Sequence, residues 1–203
     1  TRGEKPNRKR MATVAAVYTV APHFRSAEDI VAGLRHVKPA PDGRKPIPPR
    51  PEAKRVWASV EAELPVVIRQ LFDEAERRDP LHKKRWLIVL DGDPKLELAA
   101  RREAKRRGVK PAFVLDFIHA LEYLWRAGHA LFAEGTSELE AWVLHRLTEL
   151  LHGRASSVAA GMRRSATKRG LSSAERAPID RAANYFLKRK TMMRYNDLLA
   201  LGA

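Results

Sequence analysis

Arg85-Trp-Leu-Ile-Val-Leu-Asp-Gly-Asp-Pro94 is the stretch that decides how this chain is read. Its apolar run is continuous, too short for a helix, and stops at Asp91-Gly92, so it reads as a buried strand. Asp93 and Pro94 then open a helix. A short carboxylate at the N-cap satisfies a free backbone N–H, and proline is tolerated at the first helical position, where its missing donor costs nothing. Gly108 closes that helix. Ala112-Phe-Val-Leu115 is a second apolar run of the same kind. It passes through Asp116 into a long helix starting near Phe117, with Leu121, Leu124, Trp125, Ala127 and Leu131 on its core side. Strand, helix, strand is the grammar of an α/β fold, whose ligands gather beyond the carboxyl ends of the strands.

Upstream, a basic lead from Lys5 to Arg10 precedes Ala12–Ala21, whose two faces are both largely apolar. That pattern predicts a strand inside a sheet. Ser26 followed by Asp29 predicts a short capped helix through Leu34. Residues 38–51 hold six prolines and Asp42-Gly43, and form a surface loop or linker. Residues 53–78 carry Val56, Trp57, Val60 and Leu64, then Ile68, Leu71, Phe72 and Ala75, a helical spacing. An interior proline costs about 3 kcal/mol, so Pro65 is expected to divide this segment into two helices.

Downstream the pattern is helical throughout. Ser137 and Glu140 suggest a capping box ahead of the stripe Leu139, Trp142, Val143, Leu147, Leu150 and Leu151. A narrower stripe of Ala155, Val158, Ala159, Met162 and Ala166 lies opposite Arg163, Arg164, Lys168 and Arg169. A last helix holds Ile179, Ala182, Ala183, Phe186 and Leu187 and ends in Lys188-Arg189-Lys190. The expected organisation is an α/β core over residues 1–119, with the Pro-rich loop at 38–51, and an all-α part over residues 120–203.

Composition narrows the function. The 203 residues carry 39 Lys and Arg against 24 Asp and Glu, a net charge of +15. Residues 1–55 contribute 13 basic and 5 acidic side chains and residues 154–194 contribute 11 and 2, while the middle is nearly neutral. Two such blocks repel themselves without a counter-anion, which points to phosphate contacts that are backbone-directed and salt-sensitive. The chain has no cysteine, which excludes disulfides, zinc–thiolate sites and Cys nucleophiles. No apolar run approaches the roughly 18 residues that a membrane span requires. The chain opens Thr1-Arg2-Gly3 without Met, and reads as part of a longer protein.

Asp91 is the leading chemical candidate. A carboxylate on a rigid strand end suits a hard cation such as Mg²⁺, which takes few protein ligands and leaves room for substrate phosphates. A simple turn aspartate before Gly92 is the competing reading, and Asp93 is explained by capping alone. Asp116 and His119 form an Asp-x-x-His motif, with the Asp116 carboxylate expected to accept the His119 backbone N–H. Glu122 follows His119 by three residues, a helical ligand spacing that is weak by itself. His23, His36, His82, His129, His145 and His152 form no cluster in sequence. Asp91-Gly-Asp93 also suggests the nucleophile loop of haloacid-dehalogenase-like phosphatases, but Lys95 stands where that family has Thr or Val, and Pro94 starts a helix.

Four segments together resemble bacterial insertion-sequence transposases of the ISKra group, which are similar to Mutator-type transposases: Arg8–Val20, Leu90-Asp-Gly92, Val114–Trp125 and Ser165-Ala-Thr-Lys-Arg-Gly-Leu171. The resemblance implies a ribonuclease-H-like core in which Asp, Asp and Glu hold two divalent metals, Mg²⁺ or Mn²⁺. It implies that Asp91 is the second metal-binding Asp and that Asp116 and His119 form the Asp-x-x-His motif. The helices from about residue 120 would be the insertion that holds transposon-end DNA. The family's first Asp would lie upstream of Thr1 and its Glu downstream of Ala203, so this chain is expected to bind DNA without cutting or joining it. Arg8, Lys9, Arg10, Arg163, Arg164, Lys168, Arg169, Lys188, Arg189 and Lys190 are the expected DNA contacts. The resemblance further implies a bacterial, nucleoid-associated cytoplasmic protein that forms homo-oligomers on DNA.

A rival reading is a non-catalytic basic nucleic-acid-binding module in which Asp91 only makes a turn. Strand pairing separates the two. Three strands adjacent in one sheet, with Asp91 on an open crevice, favour the transposase. Ala12–Ala21 pairing elsewhere favours the module.

Overall fold

The computed structural model describes residues 12–35 and 48–203. Arg8, Lys9 and Arg10, and most of the Pro-rich loop, lie outside the described residues. The elements run β1 (Thr13–Thr19), α1 (Ala27–Leu34), β2 (Glu52–Ser59), α2 (Leu64–Arg78), β3 (Leu87–Leu90), α3 (Pro94–Arg107), β4 (Ala112–Leu115), α4 (Phe117–Gly128), α5 (Ser137–Leu151), α6 (Ala155–Lys168), α7 (Ser173–Arg189) and α8 (Tyr195–Leu199). The fold is mixed α/β, helix-rich, with two small sheets. No helix among the described residues is long and apolar enough to cross a membrane.

The strands pair in twos. β1 and β2 are antiparallel, with Ala15 opposite Trp57 and an irregularity between Val17 and Thr19. β3 and β4 are parallel, from Leu87 opposite Ala112 to Leu90 opposite Leu115. The expectation that Ala12–Ala21 lies buried within a sheet is therefore corrected. Of its strand only Ala15 is buried, and Val14 and Tyr18 are exposed.

The reading of residues 53–78 as two helices also fails in its first half. Glu52–Ser59 is strand, because Val56 and Trp57 are β-branched and aromatic and find a partner in β1. Ser59 ends it, its hydroxyl accepting from the Glu61 and Ala62 backbone N–H groups. Pro65 sits in the first turn of α2 rather than inside a helix, the position where it does no damage.

The described residues divide into two compact units. The smaller contains residues 12–21, 50–86 and 93–111, hence β1, β2, α2 and α3. Its apolar centre is Val67, Ile68, Phe72, Ala100 and Ala104. Charged groups tie it together. Glu74, buried on α2, accepts from Arg55 of β2 at 2.7 Å and from Arg78 at 2.7 Å. Arg107 near the end of α3 is ion-paired with Asp73 and Glu76 of α2 and with Glu103, and its guanidinium lies 5.7 Å from the Phe72 ring centre. Asp79 accepts from the Lys83 and Lys84 backbone and from the Trp86 indole, which organises the turn after α2.

The larger unit contains residues 22–35, 48–49, 87–92 and 112–203. Its core is continuous: Leu115, Leu124, Leu139, Val143, Leu147, Leu150, Val158, Met162, Ile179 and Phe186 are all essentially inaccessible. These are the stripes that the helical periodicity predicts for α4 to α7. α7 starts with a capping box of Ser172 and Glu175. α5 is capped by Thr136, whose hydroxyl accepts from Leu139 N, rather than by Ser137. The sequence boundary at residue 120 falls inside α4, and Leu87–Gly92 and Ala112–Leu115 group with the helices.

Candidate functional site

The carboxyl edge of the β3–β4 pair collects the chemically distinctive residues of the larger unit. β3 ends at Leu90, and Asp91 beyond it is exposed, while Gly92 is buried with φ +89°. A Cβ on Gly92 would lie 2.0 Å from the Tyr185 hydroxyl oxygen, so only glycine fits this turn. The turn is held from α7. Tyr185 donates its hydroxyl to the Asp91 carbonyl at 2.9 Å, and Arg189 donates to the Gly92 carbonyl.

Tyr185 stacks on Tyr123 of α4 with ring centres 4.0 Å apart and planes within 5°. Burial, and then the neighbouring Tyr123, push its phenol pKa up to about 12, so it stays a proton donor to Asp91 at physiological pH. The backbone of Asp91 is thus fixed by a side chain distant in sequence, while the residue stays exposed.

Asp116 stands at the end of β4. Its N–H donates to Leu90 O at 2.8 Å, which carries the parallel ladder one residue further. Its carboxylate accepts from Ile118 N at 2.9 Å and caps α4, a correction to the expected partner His119. The reason is that the N-cap oxygen reaches either the second or the third helical N–H, and here the second is the nearer. His119 is partly exposed, edge-on to Tyr123 and Tyr185, with Nδ1 3.7 Å from the Glu122 carboxylate. Beneath the edge, Tyr195 donates to Leu115 O at 2.9 Å, and its phenol pKa is raised by burial and then by Asp116. Asp93 serves as N-cap of α3, accepting from Lys95 N at 2.7 Å.

An exposed carboxylate on a stiff strand edge is a fitting ligand for one face of a hydrated Mg²⁺. Among the described residues, no group of three or more Asp, Glu or His side chains lies close enough to hold a metal ion.

The expected DNA contacts divide by environment. Arg163 pairs with Asp180 at 3.4 Å and donates to Asn184 at 2.7 Å. Arg169 donates to Leu131 O and lies over the Phe132 ring at 4.3 Å, and Arg189 braces Gly92. Those three hold elements together. Arg164, Lys168, Lys188 and Lys190 are exposed. Arg164 and Lys168 line a groove of about 490 Å³ together with Arg146, which sequence reasoning did not single out. Tyr123, Tyr185 and Tyr195 were missed as well. The aromatic positions on α4 and α7 are visible in sequence, but nothing there ties them to Asp91.

Comparison of the chain with protein-family models, with curated proteins and with solved structures gives no match.

Proposed function

We propose that this chain is a DNA-binding segment of an Asp-Asp-Glu transposase, contributing the second metal-binding carboxylate, Asp91, but not the full set. The observation that carries the reading is the exposed Asp91 at the carboxyl end of β3, in a parallel pair, with its backbone locked by Tyr185 and Arg189. A rigid, solvent-facing carboxylate is what a shared divalent cation requires. Two such metals supply activation of the attacking hydroxyl and stabilisation of the leaving oxygen in phosphoryl transfer.

A ribonuclease-H-like core needs the strand with the first Asp, which this reading puts upstream of Thr1. Two-stranded sheets are marginal alone, and among the described residues each sheet has only two strands. An added strand is what that core would require.

The second reading, a non-catalytic basic module, is favoured by one specific observation: β1 pairs with β2 and with neither β3 nor β4. The two readings share DNA binding and differ in Asp91. In the full-length protein with Mg²⁺ or Mn²⁺ and plasmid DNA, Asp91→Asn should abolish nicking and leave DNA affinity unchanged. The 203-residue chain alone should bind without nicking. Undiminished nicking by the full-length Asp91→Asn protein would leave the module reading standing and remove the transposase role of Asp91.

A further inference from the structure

The groove between α5 and α6 is built unlike the rest of the basic surface. α6 presents Ser157, Ala160, Gly161, Arg164, Ser165 and Lys168 along it, at positions that recur on one helical face, and α5 contributes Arg146. No carboxylate lines it. Among the described residues, Arg164 and Lys168 have no acidic partner. Glu149 pairs directly with Arg154 at 2.9 Å and acts on Arg146 only through its field, which offsets part of the cost of burying that guanidinium.

Arg146 is the unusual member. Its guanidinium lies 5.5 Å from the Trp142 ring centre, and its Nε is buried without a hydrogen-bond partner among the described residues. Gly161 makes its place. A Cβ there would lie 3.2 Å from Arg146 Nη1, so a side chain at that position would press on the guanidinium. Burial also lowers the Arg146 pKa from its ordinary value. A half-buried cation with an unused donor costs solvation in the free protein, and an anion with matching geometry offsets that cost.

We infer that this groove seats backbone phosphate of duplex DNA, with Arg146 as the inner donor and Arg164 and Lys168 as the outer clamp. The inference rests on the reading of the chain as a DNA-binding protein and names where on the surface that binding is made. Guanidinium groups favour phosphate because their planar forks match its oxygens. Among the described residues that line the groove none is aromatic, so it offers no platform on which unpaired bases stack, as single-strand binders use. Its Arg, Lys and Ser donors all serve phosphate oxygens, and a contact to the backbone alone carries no sequence information.

Fluorescence anisotropy with a labelled random-sequence duplex, over a series of salt concentrations, tests this. Each phosphate contact contributes about −0.9 to the slope of log affinity against log salt. The exposed pair Arg164→Gln/Lys168→Gln should make the slope shallower by about 2, and Arg146→Met by about 1. Lys83→Gln/Lys84→Gln removes equal charge elsewhere and should leave the slope unchanged. Thermal melts check that Arg146→Met folds; the outer pair, being exposed, keeps the test decisive if it does not. Should wild type bind duplex with a slope that the outer pair does not alter, the groove is wrong and the DNA-binding reading stands. An equal loss in the Lys83/Lys84 variant reduces the effect to net charge and also overturns the groove. A wild-type chain with no affinity for duplex overturns both.

Discussion

The two units of this chain are stabilised by different means. The larger one buries a continuous apolar core, with Leu115, Leu124, Leu147, Met162, Ile179 and Phe186 all fully enclosed. The smaller one has a short apolar centre around Phe72 and relies on an ionic seam, with Arg107 bridging α3 to Asp73 and Glu76 of α2. Its strands add little, since Val14, Tyr18 and Val56 are exposed. The difference teaches that the α-helical unit has the makings of independent stability, whereas the smaller unit's stability should respond to pH and salt.

The largest effect is expected inside the apolar core. Phe186→Ala removes a fully buried ring and should destabilise by about 3–5 kcal/mol, measured by urea denaturation. Val56→Ala on exposed β2 should change stability by less than about 0.5 kcal/mol. A large loss from Val56→Ala would break the comparison, because it would mean that the β1–β2 pair buries apolar surface when folded.

A smaller effect is expected where the larger unit holds the strand edge. Gly92→Ala places a Cβ at a left-handed backbone position and against the Tyr185 hydroxyl, with an expected cost of about 1–3 kcal/mol. Tyr185→Phe in the same chain should recover part of that cost, because the closest clash is with the hydroxyl while the φ strain remains. A double-mutant cycle reads the coupling directly. Strict additivity would show that Tyr185 does not clasp Asp91-Gly92.

Local signals made much of this architecture legible. Asp93, Pro94 and Gly108 bound α3 as the sequence predicts, and the two short apolar runs became β3 and β4. β2 was misread because Val56, Trp57 and Val60 fit a helical spacing, and what makes Val56 and Trp57 strand is a partner at residues 13–19. Thr136 and Ser137 are adjacent hydroxyls with equal claim to cap α5, and the choice of Thr136 depends on where the turn before it ends. Asp91 was legible as an exposed strand-end carboxylate. Its clasp was not, since Tyr185 is 94 residues away and no pattern in sequence brings α7 to that turn. Arg146 was hidden for a similar reason: one Arg beside an apolar stripe gains meaning only from the Gly161 that faces it.

The ionic seam gives the smallest effect and the sharpest test of the contrast. Glu103 bridges Arg106 and Arg107, and hydrogen bonding to Arg106, against the cost of burial, lowers its pKa to about 2. A carboxyl whose folded pKa lies below its unfolded value stabilises the fold above the unfolded value and loses that stabilisation as pH falls through the folded one. The loss should therefore run from about pH 4.5 down to about pH 2. Arg106 is well exposed, so water screens part of the attraction, and the contribution is of order 1 kcal/mol. Urea denaturation across that window, followed by Trp57 and Trp86 fluorescence after Trp125 and Trp142 are replaced by Phe, isolates the smaller unit. Glu103→Gln should flatten the acid limb there, while wild type falls. Equal acid limbs in the two proteins would mean that the Glu103 ion pairs, which hold Arg107 from within α3, add nothing to the smaller unit's stability.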